Sequence, residues 1–153
     1  MFKSLIKILS TFFYVGYLPL IPGTFGSMAG IGLFYLIRAN PIVLVSFTVI
    51  LIVIGFFVSG KTEQITQKKD PSCVVIDEVC GMLLSLLFIP YDIKLVIAAF
   101  FLFRILDTLK PFPIGRLERL KGGLGIMCDD LVAGLYVNII LQAVLRLTSF
   151  KAS

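Results

Sequence analysis

Residues 39–60 run ANPIVLVSFTVILIVIGFFVSG without one charged side chain. That run limits the fold more than any other feature of the chain. At 1.5 Å per helical residue, about 20 apolar residues cross the ~30 Å hydrocarbon core of a bilayer. The composition points the same way: 58% of the 153 residues are hydrophobic and 15% are charged. A soluble domain has roughly 45–50% apolar and about 25% charged residues. The sequence therefore predicts an all-α integral membrane bundle of five or six helices, forming a single domain over residues 1–153. The apolar run begins far from the N-terminus, and nothing at the start resembles a cleavable signal peptide.

Helix and turn signals divide the rest. Residues 2–16 carry Lys3, Ser4 and Lys7 on one side and Phe2, Leu5, Ile6, Leu9 and Phe12 on the other. This spacing predicts an amphipathic helix lying in the headgroup layer. Pro19 and Pro22 then break the chain before Gly23 and Gly26, and Thr24 or Ser27 is placed to cap a helix running to about Ile37. A Gly-rich turn with hydroxyls at a helix start is a potential anion site, although plain capping explains the same residues. Further helices are expected over 41–60, 71–90, 93–109 and from about 126 onward, with Asp70-Pro71 opening the second of these. The connecting segments 61–70 and 114–123 are basic and mark the cytoplasmic side.

Several chemistries are excluded outright. The chain has no histidine, which removes histidine nucleophiles, Ser-His-Asp triads and histidine metal sites. Cys73, Cys80 and Cys128 form no CxxC pair and sit in apolar runs, as core cysteines do. None is followed six residues later by the Arg that a cysteine phosphatase needs, because those positions are Val79, Leu86 and Gly134. The net charge of +5 is spread over segment ends, with no basic and aromatic block suited to nucleic acid.

What remains is acid in an oily setting. Asp77 and Glu78 are the only charged side chains between Pro71 and Tyr91. Ionised carboxylates persist in such surroundings when paired, hydrated or bound to metal, and a helix–helix salt bridge is one way to satisfy them. If the helices alternate across the bilayer, Asp77, Asp107 and Asp130 lie roughly 20, 22 and 24 Å from the far ends of their helices. All then fall near one face, level with the turn at 23–27. Asp77, Glu78, Asp107, Asp129 and Asp130 outnumber Arg104 and Lys110, and a hard divalent cation (Mg²⁺, Mn²⁺ or Ca²⁺) would resolve the excess. Since adjacent helical residues point about 100° apart, only one of Asp77 and Glu78 is expected to ligate directly. Such a pocket suits phosphoryl transfer on a lipid phosphate. A small cation transporter or proton-coupled carrier is the other class open to buried carboxylates, and it would place them near the midplane.

Four blocks carry a resemblance: LPLIPGTFGSMAG at 18–30, DPSCVVIDEVCGM at 70–82, FFLFRILDTLKPFPIGRLERL at 100–120 and GGLGIMCDDLVAGL at 122–135. Together, in this order, they resemble the phosphatidylglycerophosphatase A family of bacterial membrane phosphatases. The resemblance implies a Mg²⁺-dependent hydrolase of phosphatidylglycerophosphate in phospholipid synthesis, multi-pass in the inner membrane, with its site facing the cytoplasm. It carries over Asp77, Glu78, Asp107, Asp129 and Asp130 as metal or catalytic candidates. Arg104, Lys110, Gly23, Thr24 and Ser27 are carried over as contacts to the phosphate. Which acid is ligand and which is base stays open, as do the metal count and the oligomeric state.

Overall fold

The charge-free run leads into α3, Pro41–Thr66, and forms that helix from its start as far as Gly60. Its start is set by Asn40, whose side-chain oxygen accepts from the N–H groups of Ile42 and Val43 at 3.0 and 3.3 Å, with Pro41 in the first turn. The structure, a computed structural model, describes residues 2–151, and side chains through 147. Around α3 stand α1 (Phe2–Ser10), α2 (Pro22–Ile37), α4 (Ile76–Ser85), α5 (Ile93–Leu109), α6 (Ile114–Leu117) and α7 (Gly123–Lys151). A 3₁₀ turn at Val15–Tyr17 joins α1 to α2. No strand occurs among the described residues.

Two helices, α3 and α7, are long and apolar enough to cross a membrane. Only 33% of the most apolar window of α3 is buried, and Ile42, Val49, Ile50, Val53 and Phe57 stand exposed along it. The core helix of a water-soluble domain hides such residues.

The helix expected over 71–90 is not continuous. Pro71–Val75 is irregular, α4 has ten residues, and the chain leaves helical geometry again after Ser85. At 1.5 Å per residue α4 is about 15 Å long, too short to span hydrocarbon. Asp70 is not its cap, having a left-handed φ of 46°; the preceding residue is Val75, with no side-chain cap. The broken end is repaired from α7, where Asn138 Nδ2 donates to the carbonyls of Ser85 and Leu87 at 3.2 and 2.8 Å. Gln142 Nε2 in turn donates to Asn138 Oδ1 at 2.8 Å. Buried carbonyls without such partners would each cost about 1–3 kcal/mol.

The start of the chain also differs from expectation. The N-terminal helix stops at Ser10, and Phe12, Phe13 and Tyr14 all take left-handed φ values. Ser10 ties the junction down: its carbonyl accepts from Val75 N–H at 3.0 Å, and its Oγ accepts from Thr62 at 2.9 Å.

α4 is the hub, packed between α2 and α7, with Ile76, Val79, Cys80, Met82 and Leu83 wholly buried. The α4–α7 contact is backbone on backbone. A Cβ at Gly134 would run into the Gly81 carbonyl, and one at Gly81 would lie 2.8 Å from the Asp130 carbonyl. Overpacking of this kind costs typically 1–3 kcal/mol. Gly134→Ala is therefore expected to lower unfolding stability in detergent by about that amount. Gly32→Ala, where nothing lies within 4 Å of the new methyl, is expected to be neutral or to stabilise by up to about 1 kcal/mol. Denaturant titration of both variants checks the contrast.

Candidate active site

The first turn of α4 carries Asp77 and Glu78, at the end of a helix where backbone N–H groups favour negative charge. The Gly81–Gly134 contact brings α7 alongside, four residues beyond Asp130. The outcome is a cluster in which Asp77, Glu78 and Asp130 each offer a carboxylate oxygen within 4.8 Å of the others. Both members of the adjacent pair reach it, although they leave the helix about 100° apart. Glu78 has one more methylene than Asp77, and that length closes the gap. Glu78 N–H donates to Asp77 Oδ1 at 3.1 Å, fixing the shorter carboxylate.

Six carboxylates and one guanidinium line the surrounding cavity, of about 230 Å³: Asp70, Asp77, Glu78, Asp107, Asp129 and Asp130, with Arg104. Arg104 Nη1 lies 2.7 Å from Asp107 Oδ2, one turn along α5. Its N–H does not point along that contact, so the nitrogen keeps no hydrogen-bond acceptor. Lys110 caps the end of α5 in a left-handed conformation. Its Nζ sits 2.9 Å from Asp129 Oδ2 and 3.0 Å from Glu118 Oε1. Partial burial works against the ammonium, but hydrogen bonds to Asp129 and Glu118 outweigh it and raise the Lys110 pKa above its ordinary value. Lys110 is thus charged throughout the neutral range.

Gly23 forms the opposite wall, in the first turn of α2. Pro22 has no N–H, and the N–H groups of Thr24 and Phe25 donate to the Ile21 carbonyl at 3.1 and 3.3 Å. The donor left to face the cavity is Gly23 N–H. A Cβ there would strike Glu78 Oε1 and lie 3.2 and 3.3 Å from the two Arg104 Nη atoms. The two other turn residues fall elsewhere. α2 begins at Pro22, so neither Thr24 nor Ser27 caps it, and neither lines the cavity. Ser27 is wholly buried, and its Oγ donates to the Gly23 carbonyl at 3.0 Å.

Three participants were not singled out from the sequence. Asp70 and Ser72 line the cavity, and Glu118 shares Lys110 with Asp129. Asp70 belongs to the irregular stretch that replaces the start of the expected 71–90 helix. Its pKa is raised above the ordinary range, chiefly by loss of solvent around the carboxyl; Lys110 pulls it down, while Glu118, Asp107 and Glu63 push it up. The one signal for it was the Asp-Pro dipeptide, which reads equally well as a helix cap.

The donor set fits a hard divalent cation: carboxylate oxygens only, with neither imidazole nor thiolate within reach. The buried oxygens Glu78 Oε2 and Asp129 Oδ1 have no hydrogen-bond partner, as ligand positions awaiting a cation do. Beside them stand a guanidinium and a helix start, the groups that receive a phosphate.

Clustered acids, a guanidinium and a helix N-terminus around one cavity of an apolar helical fold suit the hydrolysis of a phosphoric monoester, and similarity to known proteins places the chain in that class. The chain belongs to the phosphatidylglycerophosphatase A family, whose model matches residues 8–145. It is 42% identical to phosphatidylglycerophosphatase A of Escherichia coli strain K12, over 83% of this chain and 76% of that protein. The Haemophilus influenzae phosphatidylglycerophosphatase A is 36% identical, over 91% and 88%. A Bacteroides thetaiotaomicron protein, provisionally named a phosphatidylinositol-3-phosphatase, is 37% identical over 91% and 92%. No solved structure matches the chain significantly. Membership of a phosphatase family does not favour the transporter reading.

Gly23→Ala tests the wall without disturbing the core, because the added methyl meets the mobile ends of Glu78 and Arg104 rather than backbone. Unfolding stability is expected to change by less than about 0.5 kcal/mol. Phosphate release from a lipid phosphomonoester is expected to fall at least about tenfold, since misplacing catalytic groups by about 1 Å costs up to 10²-fold.

Proposed function

We propose that the protein is a Mg²⁺-dependent phosphatase that converts phosphatidylglycerophosphate and water into phosphatidylglycerol and inorganic phosphate. The observation that carries this reading is the three-carboxylate cluster within 4.8 Å, adjoining Arg104 and the start of α2, in a chain of this family. Asp77, Glu78 and Asp130 would hold Mg²⁺, for which Mn²⁺ could substitute. When bound, the ion supplies positive charge for phosphate oxygens and lowers the pKa of a coordinated water.

The chain's own residues do the rest. Arg104 offers an unused N–H to the phosphate, and Asp107 holds that side chain in place through their ion pair. The Gly23 N–H at the start of α2 receives a second phosphate oxygen. Lys110 restrains Asp129 and adds positive potential at the cavity edge. A water oxygen forms a bond to phosphorus while the bond from phosphorus to the glycerol oxygen breaks. The proton that the water gives up passes to a carboxylate outside the three-acid cluster, Asp107 or Asp129, and the leaving oxygen ends as the glycerol hydroxyl.

The same reading places α3 and α7 across the bacterial inner membrane, with α1 in the headgroup layer. Its support is the exposed apolar face of α3 and the position of the basic segments. Residues 61–70 lead into Asp70 at the cavity, and 114–123 carry Glu118 against Lys110. Basic loops collect on the cytoplasmic side, which puts the cavity at the cytoplasmic headgroup level.

Purified protein supplied with phosphatidylglycerophosphate is expected to release phosphate with Mg²⁺, stop on addition of chelator, and resume when Mg²⁺ is restored. Asp77→Asn and Asp130→Asn are each expected to lower the rate by about 10³-fold or more, the scale of losing a principal electrostatic group. Phosphatidylinositol-3-phosphate, assayed in parallel, decides the headgroup. Full activity in either variant would sink the mechanism, and faster turnover of the inositol lipid would replace the substrate.

A further inference from the structure

The end of the bundle remote from the acidic cavity holds a second cavity, of about 320 Å³, with a mostly apolar lining that includes Phe34, Phe88 and Tyr91 and with Arg38 as its charged group. Arg38 follows α2 as its C-cap. Its guanidinium carbon lies 3.8 Å from the centre of the Tyr91 ring and 5.0 Å from that of Tyr35, and the two rings pack at 5.7 Å. No acid among the described residues pairs with it, and its buried Nε has no hydrogen-bond partner. Asp92, one residue beyond Tyr91, is occupied in capping α5 through Lys94 N–H at 2.7 Å.

With no partner acid among the described residues, the Arg38 cation is thus held against two aromatic rings at the edge of a cavity. Stacking removes the rotamer freedom that an exposed Arg would lose on binding, leaving a planar donor array suited to two oxygens of one phosphate. Position narrows the ligand further. α2 runs from the acidic cavity to Arg38 over sixteen residues, about 24 Å along its axis. In a bilayer of ~30 Å hydrocarbon thickness, Arg38 then lies near the opposite headgroup layer. Exposed Tyr35 and Tyr91 flank it, beside exposed Phe88, and tyrosine collects at that depth.

We infer that the Arg38–Tyr35–Tyr91 cluster is a phosphate-binding site for a phospholipid headgroup of the leaflet opposite the active site. This inference uses the membrane placement proposed above but none of the catalytic assignments. The site anchors the turn between α2 and α3 and the segment 88–92 to one lipid, setting how deeply the bundle sits.

The test compares full-length wild type, Arg38→Gln and Tyr91→Leu in a neutral detergent, with Asp77→Asn as the control for lipid held at the catalytic cavity. Native mass spectrometry counts bound phosphatidylglycerol, and thermal unfolding is followed with added phosphatidylglycerol or sodium phosphate. Arg38→Gln is expected to retain bound lipid at least fivefold more weakly and to lose the lipid-dependent rise in Tm. Tyr91→Leu, keeping the charge but losing the stack, should weaken retention two- to threefold, and Asp77→Asn should keep the Arg38-dependent lipid. Detergent-phase phosphatase activity of Arg38→Gln within twofold of wild type shows that the variant is folded. Unchanged retention in Arg38→Gln would overturn the site. Arg38-dependent stabilisation by sodium phosphate equal to that by lipid would overturn the headgroup assignment in favour of a soluble anion.

Discussion

Holding three carboxylates together inside an apolar bundle is the demand to which the rest of this fold answers. Two ionised groups 4.8 Å apart repel by about 3 kcal/mol at an effective dielectric near 20, and this cluster contains three such pairs. Their supporting helices are packed backbone against backbone at Gly81 and Gly134, so relaxing the repulsion by moving α4 away from α7 would forfeit that packing. The opposing influences converge on the same place: the first turns of α2 and α4, the Arg104 guanidinium and Lys110. They soften the excess of negative charge without cancelling it, and that remainder is the electrostatic ground for the cation proposed above.

The short length of α4 follows from the same demand. A continuous helix over 71–90 would carry its acidic residues in its second turn, away from the exposed N–H groups. Starting at Ile76 puts Asp77 and Glu78 where those groups lie. The cost appears at the other end, where helix termination leaves buried carbonyls, and Asn138 with Gln142 meets them from α7. One broken helix thus explains two polar side chains in the middle of an otherwise oily one.

Much of this was legible in the sequence. α5 occupies 93–109 as read from its flanking Asp92 and Pro111, and α3 begins at Pro41. The acidic residues stood out because charge in an oily run has few explanations. Levelling Asp77 with Asp107 and Asp130 by helix length, in contrast, assumed alternation across a bilayer and a continuous helix over 71–90, of which α4 is only the middle. The legible features are those set by hydropathy and by strong local breakers. The break inside 71–90 was not, because Val74, Val75 and Ile76 suit a buried loop and a buried helix equally. Asp70 and Glu118 escaped notice because polar surroundings make an acid unremarkable, and only the folded chain shows them turned toward Lys110. Ser27 illustrates the converse: a hydroxyl near a promising glycine bonds back to its own helix. Asn138 gave no signal at all, since one amide in a long apolar helix does not disclose its partner.

Gly23 has a consequence of a different kind. The phosphate-facing wall it forms is main chain, and a peptide N–H is the same whatever codon specifies the residue. Short of proline, which would remove the donor, a point substitution there obstructs the wall without changing its chemistry. A change in headgroup preference would therefore come through the side chains that face this wall across the cavity, such as Asp70 and Ser72.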